Sequence, residues 1–159
     1  MPEPIPGSDL LLVAVREALG LPNKPLPLII GIDGRAGAGK TSLACWLGWQ
    51  LGMPVVSLDL YVVSGTDPLV WRYADLERVL ASRSKTFRPV IVEGVCLCRV
   101  LQAIDRKPDY LVWVENRGGP EPSPHDPSTS YVPKFDPISN ADHTVRWGEP
   151  VQVSGWEFP

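Results

Sequence analysis

The stretch Gly31-Ile-Asp-Gly-Arg-Ala-Gly-Ala-Gly-Lys-Thr41 determines how the rest of the chain is interpreted. Residues 34–41 follow the spacing G-x-x-x-x-G-K-T, which is the pattern of a phosphate-binding P-loop. A short apolar run at residues 26–30 precedes the motif, and a helical pattern at residues 42–51 follows it. Because a P-loop joins a strand to the start of a helix, these flanks are the context that the motif requires. The stretch therefore predicts a site for phosphate groups.

Each part of the motif has a task in holding phosphate. Gly34, Gly37 and Gly39 have no side chain, so the backbone can turn tightly and bring its N–H groups close to an anion. The N-terminus of the following helix adds partial positive charge. Lys40 supplies a mobile charge for the terminal phosphates, and the Thr41 hydroxyl can bind Mg²⁺. The alternative is a glycine-rich turn without a ligand, which would require all these features to coincide by chance.

Length and composition bound the class of protein. The chain has 159 residues, which suits one domain spanning residues 1–159. Its net charge is -3, so a general affinity for nucleic acid is not expected. No apolar run approaches the ~18 residues of a membrane span, and the first residues lack the regions of a signal peptide. We therefore expect a cytoplasmic protein that binds neither nucleic acid nor membrane, and composition leaves homo-oligomerisation open.

The cysteine pattern gives no sign of a disulfide framework. Cys45, Cys96 and Cys98 are odd in number and lack the spacing of a disulfide scaffold or a zinc knuckle. We expect each of them to be a small buried side chain.

Predicted helices and strands alternate along the chain. Helices are predicted at residues 8–20, 42–51, 68–83 and 95–105, and strands at 26–30, 54–59, 89–93, 109–115 and 141–147, with 151–153 as an extension. The strands are nearly continuous apolar runs, which is typical of a parallel sheet covered on both faces. Prolines are frequent from Pro120 onward. The domain is thus predicted to have a core at 27–115, a proline-rich, lid-like loop at 116–140 and a last strand within 141–153.

Acidic residues lie at or near the ends of the first three predicted strands. Ligands of parallel sheets bind beyond the carboxyl ends of the strands, so we expect Asp33, Asp59 and Glu93 to gather around the P-loop. Phosphoryl transfer needs Mg²⁺ and a group that orients or deprotonates the acceptor hydroxyl. Asp59 and Glu93 are candidates for either task. The alternative for each is a solvated turn residue or a helix N-cap.

Three stretches in this order resemble the core motifs of the uridine kinase family of P-loop kinases. They are residues 31–41, then Ser57-Leu-Asp-Leu-Tyr61, then Val90-Ile-Val-Glu-Gly94. The resemblance covers residues 27–115, and Ala141-Asp142 resembles the element before the last strand of that family. The first motif is shared by many nucleotide-binding proteins, whereas the three together are more specific. The resemblance implies a three-layer α/β P-loop NTPase fold with a mostly parallel, five-stranded sheet.

The resemblance also implies a phosphate donor and roles for individual residues. ATP with Mg²⁺ would be the donor, and a small molecule with a hydroxyl group the acceptor. The implied catalytic residues are Lys40, Asp59 and Glu93, with Asp59 taking the proton of the acceptor hydroxyl. The implied metal residues are Thr41, Asp59 and Glu93. The nucleotide contacts that we predict are Gly34, Arg35, Ala36, Gly37, Ala38, Gly39, Lys40, Thr41, Ser42 and Arg117.

We assign the acceptor side to Asp33, Tyr61 and Trp71. Tyr61 matches an aromatic residue that lines the acceptor pocket in the family, and Trp71 is a candidate for stacking on a base. The chain departs from the family in having a short loop after Tyr61. It also lacks an arginine-rich lid helix after the fourth strand. In this region Arg117 is the main candidate for the role of a lid arginine.

These departures leave three hypotheses for the function. The first is a small-molecule kinase of the uridine kinase-like type, acting on a nucleoside or a similar molecule. The second is a kinase for another alcohol, such as a sugar, a vitamin or an antibiotic. The third is a nucleotide-binding protein without transfer activity.

Overall fold

The computed structural model describes residues 5–20, 28–119 and 121–148. The strands within these ranges are β1 (Ile29–Gly34), β2 (Val55–Ser57), β3 (Val90–Glu93), β4 (Tyr110–Asn116) and β5 (His143–Trp147). The helices are α1 (Ser8–Leu19), α2 (Lys40–Leu51), α3 (Tyr73–Lys85), α4 (Leu97–Ala103) and α5 (Ser128–Phe135), with a 3₁₀ turn at Leu58–Tyr61. The strand extension predicted at 151–153 lies outside the described residues.

The five strands form one parallel sheet in the order β2-β3-β1-β4-β5. β1 is central and pairs with β3 on one side, Ile29 opposite Val90, and with β4 on the other, Ile30 opposite Tyr110. All residues of β1 and β3 are buried, as expected for parallel strands covered on both faces. The predicted α/β fold with a parallel five-stranded sheet is confirmed.

Helices cover both faces of the sheet and create two apolar clusters. Successive residues of β3 point to opposite faces, so that Ile91 belongs to the first cluster and Val90 and Val92 to the second. The helical members of the first cluster are Leu11, Val15, Leu43, Ala44 and Leu47, and those of the second include Leu76, Leu80, Leu97, Val100 and Leu101. The sheet is therefore the middle layer of three, and its carboxyl edge is left for a site.

α3 begins later than the sequence predicts. Residues 68–72 are not helical, because the chain after Tyr61 runs antiparallel to the chain before Tyr73. Val63 N–H donates to the carbonyl of Val70 at 2.8 Å, and Arg72 N–H donates to that of Tyr61 at 2.7 Å. The prediction that a helix starts at Pro68 was therefore wrong.

The segment predicted as a loop at residues 116–140 contains helix α5. The Asp126 carboxylate accepts the N–H of Ser128 at 2.8 Å where the helix begins, and Pro133 lies inside the helix. Tyr131 is only 2% exposed, and its ring stacks on Phe135 with centroids 5.1 Å apart. The loop prediction was wrong here, because the buried face of this short helix outweighs the high proline content of the segment around it.

The three cysteines differ in their exposure to solvent. Cys96 is buried as predicted and Cys98 is half-buried, but Cys45 is exposed, so the prediction of burial was wrong for Cys45.

Among the helices that the structure describes, none has the length and apolar character needed to cross a membrane.

Candidate functional site

The P-loop connects β1 to α2 at the carboxyl edge of the sheet. Gly37 and Gly39 have φ angles of 72° and 88°, a left-handed conformation that only glycine adopts readily. α2 begins at Lys40, so the unpaired N–H groups of its first turn lie at the loop. The Lys40 ammonium donates to the carbonyl of Arg35 at 2.7 Å. The side chain of Lys40 therefore lies against the backbone of the loop.

Lys40 is 7% exposed and lies among four carboxylates. Burial lowers the pKa of Lys40, and the negative charges of Asp33, Glu93, Asp59 and Asp126 oppose that shift. The structure thus brings together the three acids that the sequence predicts around the P-loop. It adds Asp126, which sequence reasoning missed because nothing close to Asp126 in the chain connects it with the lysine.

Thr41 and Glu93 form a pair that suits a hard cation. The Thr41 hydroxyl donates to a carboxylate oxygen of Glu93 at 3.3 Å, and Glu93 is 1% exposed. Within residues 5–20, 28–119 and 121–148, no three His, Cys, Asp or Glu side chains cluster as ligands. Mg²⁺ at phosphate sites usually takes one or two carboxylates and completes its shell with phosphate and water. These residues therefore fit a magnesium ion that is bound together with a nucleotide.

Two of the residues predicted for the acceptor side, Tyr61 and Trp71, lie in the 3₁₀ turn after β2 and in the segment paired with the chain that follows this turn. Asp59 lies within this turn, not at the end of a strand as predicted, and its side chain is exposed. Tyr61 is half-buried, and the guanidinium of Arg72 lies 5.9 Å from the centre of its ring. Trp71 is 2% exposed, and the guanidinium of Arg99 lies 5.2 Å from its ring centre. Contact of Trp71 with a substrate ring stays a prediction.

Asp33 is fully buried and has a partner at each carboxylate oxygen. Oδ1 accepts the N–H of Gly34 at 2.8 Å, and Oδ2 accepts a hydrogen bond from the Tyr131 hydroxyl. That hydroxyl in turn accepts the N–H of Cys98 at 3.1 Å. The predicted contact of Asp33 with a substrate stays a prediction, whereas the structure shows a link between β1, α4 and α5.

Burial raises the pKa of Asp33 to about 6 from an ordinary value of 3.8, although its hydrogen bonds act in the opposite direction. The native state therefore binds more protons than the unfolded state between these two values. As the pH rises from about 4 to about 6, the free energy of unfolding should fall by about 3 kcal/mol on account of this group and then level off.

Urea unfolding at several pH values tests this prediction, with Asp33→Asn as the variant that cannot titrate. We expect the wild type to lose stability relative to the variant across this window. Parallel stability curves for the two proteins would show that Asp33 titrates normally.

A cavity of about 360 Å³ lies beside the P-loop. Residues 35–38 line one side, the end of β4 lines another, and residues of the segment 117–126 complete it. Arg35 and Arg117 both border the cavity, and the Arg117 guanidinium lies 3.5 Å from a Glu115 carboxylate oxygen. The structure thus brings several predicted nucleotide contacts to one cavity.

Trp147, at the end of β5, is a second residue that sequence reasoning missed. A Cβ atom at Gly39 would overlap its indole ring, with Cη2 3.0 Å away. Its position at the end of the predicted strand 141–147 was the available signal, because the end of a parallel strand lies at the carboxyl edge of the sheet.

The comparisons with known proteins concern the fold. No protein-family model matches the chain, and no curated protein matches it either. The solved structure of a possible uridine kinase from Bacillus stearothermophilus is similar, with a TM-score of 0.59 and 19% sequence identity. The match covers 86% of this chain and 96% of that chain. At this identity the likeness shows the fold alone. The chain therefore has a uridine kinase-like P-loop fold, as its three motifs predict.

Proposed function

We propose that the chain is an ATP-dependent kinase of the uridine kinase-like type, which transfers the γ-phosphate to a hydroxyl of a nucleoside or a similar small molecule. The observation that carries the proposal is the contact of Thr41 with Glu93 at 3.3 Å beside the buried Lys40. The lysine that we propose for phosphate binding is thus the chain neighbour of Thr41, which together with Glu93 is proposed to bind the metal. Asp59 is exposed in the 3₁₀ turn after β2, and its charge acts on Lys40; we propose that it meets the acceptor.

In the proposed reaction, the acceptor oxygen forms a bond to the γ-phosphorus while the bond to the β–γ bridging oxygen breaks. ADP leaves with that oxygen, and the proton of the acceptor hydroxyl passes to the Asp59 carboxylate. Lys40 holds the β- and γ-phosphates in place. Thr41 and Glu93 would hold Mg²⁺, which when bound neutralises charge on the phosphates.

The charges around Lys40 support a requirement for a divalent cation. One ammonium faces four carboxylates, so a polyphosphate entering without a metal would meet net negative charge. Mg²⁺ entering with the nucleotide removes part of this repulsion. ATP affinity is therefore expected to depend on the metal as well as on the lysine.

A second candidate function is nucleotide binding without transfer. α5 follows the fourth strand at the place where the family carries a lid helix, but its sequence Ser-Thr-Ser-Tyr-Val-Pro-Lys-Phe contains no arginine. Arg117 contacts Glu115. Fewer cations than usual would then stabilise the charge of the transferring group.

A kinase for a non-nucleoside alcohol is the other alternative. It is supported by the short loop after Tyr61, whose two sides, residues 61–63 and 70–72, pair with each other.

Transfer of a radiolabelled γ-phosphate from ATP to a panel of nucleosides, sugars, vitamins and aminoglycosides tests the proposal. We expect one compound class to become labelled in the presence of Mg²⁺ and to stay unlabelled when EDTA is present from the start of the reaction. ATP binding without transfer to any member of a broad panel would favour the second candidate. Failure of the wild type to bind ATP with Mg²⁺ would contradict both.

A further inference from the structure

Tyr131 joins three elements of the fold at one point. It lies on α5, donates to the carboxylate of Asp33 at the end of β1, and accepts the N–H of Cys98 in α4 at 3.1 Å. Because Tyr131 is 2% exposed and Asp33 fully buried, water cannot readily replace these partners. Losing the hydroxyl would leave a buried carboxylate without the hydrogen bond that Tyr131 donates to it.

The link continues from Asp33 into the backbone of the P-loop. The other oxygen of Asp33 accepts the N–H of Gly34, the first residue of the motif, at 2.8 Å. A Cβ atom at Gly34 would lie 2.6 Å from the carbonyl oxygen of Val114. The backbone is therefore tightly packed against β4 where the loop begins. The carboxylate therefore fixes the direction of the peptide from which the phosphate-binding turn begins.

The first turn of α5 makes a second contact with the same loop. The guanidinium of Arg35 reaches the Ser128 hydroxyl at 3.5 Å, which is the upper limit for a hydrogen bond. Ser128 is 1% exposed, and its hydroxyl donates to Asp126 at 2.6 Å. Ser128 and Tyr131, three residues apart on one face of α5, thus contact residues 33–35.

α5 is too short to be stable alone. It has eight residues, with Pro133 inside, and isolated helices shorter than about 12 residues are marginal in water. Its helical form therefore depends on docking against β1 and α4. Loss of these contacts would therefore be expected to unfold residues 128–135.

We propose that Tyr131 is a positioning residue for the P-loop: by holding the Asp33 carboxylate against Gly34, it couples docking of α5 to the phosphate-binding shape of the loop. This inference rests on the proposed binding of ATP, but it is independent of phosphoryl transfer. Coupling is reciprocal. If docked α5 improves the fit of the loop to phosphate, then bound nucleotide must stabilise docked α5 by the same factor.

Hydrogen exchange of residues 128–135 with and without ATP and Mg²⁺ tests the coupling, together with the affinity for ATP. The variant is Tyr131→Phe, which removes only the hydroxyl. The matched control is Tyr110→Phe, which removes a hydroxyl from a tyrosine that is 6% exposed at the start of β4, the edge of the sheet opposite the P-loop. We expect ATP to slow exchange in α5 of the wild type and of the control.

In Tyr131→Phe we expect this protection to be largely lost and the Kd for ATP to rise roughly 10-fold or more, as for a hydrogen bond to a charged group. A purely structural role would lower stability without removing the ATP-dependent protection. Equal Kd values and equal protection in all three proteins would overturn the inference while leaving ATP binding intact. If the variant does not fold, unchanged α5 exchange in the ATP-bound wild type would still overturn it. Absence of ATP binding to the wild type would overturn the proposed function as well.

Discussion

Asp59→Asn should lower the rate of phosphoryl transfer by roughly 10²- to 10⁴-fold, the range measured when a general base is removed. Asparagine keeps the size of the side chain but cannot take the proton of an acceptor hydroxyl. Asp59 is exposed in the 3₁₀ turn after β2, where an acceptor molecule can reach it. Initial rates of labelled product, measured with the acceptor identified from the hydroxyl panel, provide the test.

The control for this experiment is Asp75→Asn. Asp75 is a partly exposed carboxylate in the first turn of α3, where it lies 3.7 Å from guanidinium nitrogens of Arg72 and Arg78. Its substitution removes the same charge from the surface and should leave the rate within a factor of about two, since exposed ion pairs are weak. Unchanged transfer by Asp59→Asn would show that another group handles the proton.

Lys40→Ala should weaken the binding of ATP with Mg²⁺ by roughly 100-fold or more, as for truncation of one member of a buried charge pair. The ammonium is buried and offsets the charge of the surrounding acids. Without it, the phosphates would face Asp33, Glu93 and Asp126 with one fewer positive charge.

Isothermal titration calorimetry measures this change directly. Lys107→Ala is the control, because Lys107 is exposed in the connection between α4 and β4, at the opposite edge of the sheet from the P-loop. It should bind ATP like the wild type. A Kd for Lys40→Ala within a factor of about three of the wild-type value would place the nucleotide outside the P-loop.

The fold was predictable because its strands carry a strong local signal. Strands buried on both faces, such as Val90–Glu93, appear in the sequence as short apolar runs between helical patterns. The P-loop added a fixed strand–loop–helix unit, and Gly52 after α2 supplied a visible end to the helix. These signals depend on neighbouring residues only, and the structure confirms the architecture that they predict.

The remaining features depend on residues that are distant in the chain. The contact of Tyr131 with Asp33 joins residues 98 positions apart, and Asp126 affects Lys40 only because α5 folds over the loop. α5 itself was missed because Pro133 argues against a helix, whereas burial of Ser128 and Tyr131 favours one. The late start of α3 has a similar cause, since pairing between residues 61–63 and 70–72 outweighs the local preference of Pro68.

The central place of β1 also governs when, during synthesis, the P-loop can acquire its function. Both neighbours of β1 come later in the chain, since β3 begins at Val90 and β4 at Tyr110. Parallel strands cannot be joined by a short hairpin. The pairing of β1 with β3 and with β4 must therefore each bring together residues that are far apart in the chain. The glycine loop therefore emerges from the ribosome long before the strands that brace it. The proposed nucleotide site is therefore completed late in synthesis, because a nascent chain that ends before β4 carries the motif without the strand that pairs with β1 on that side.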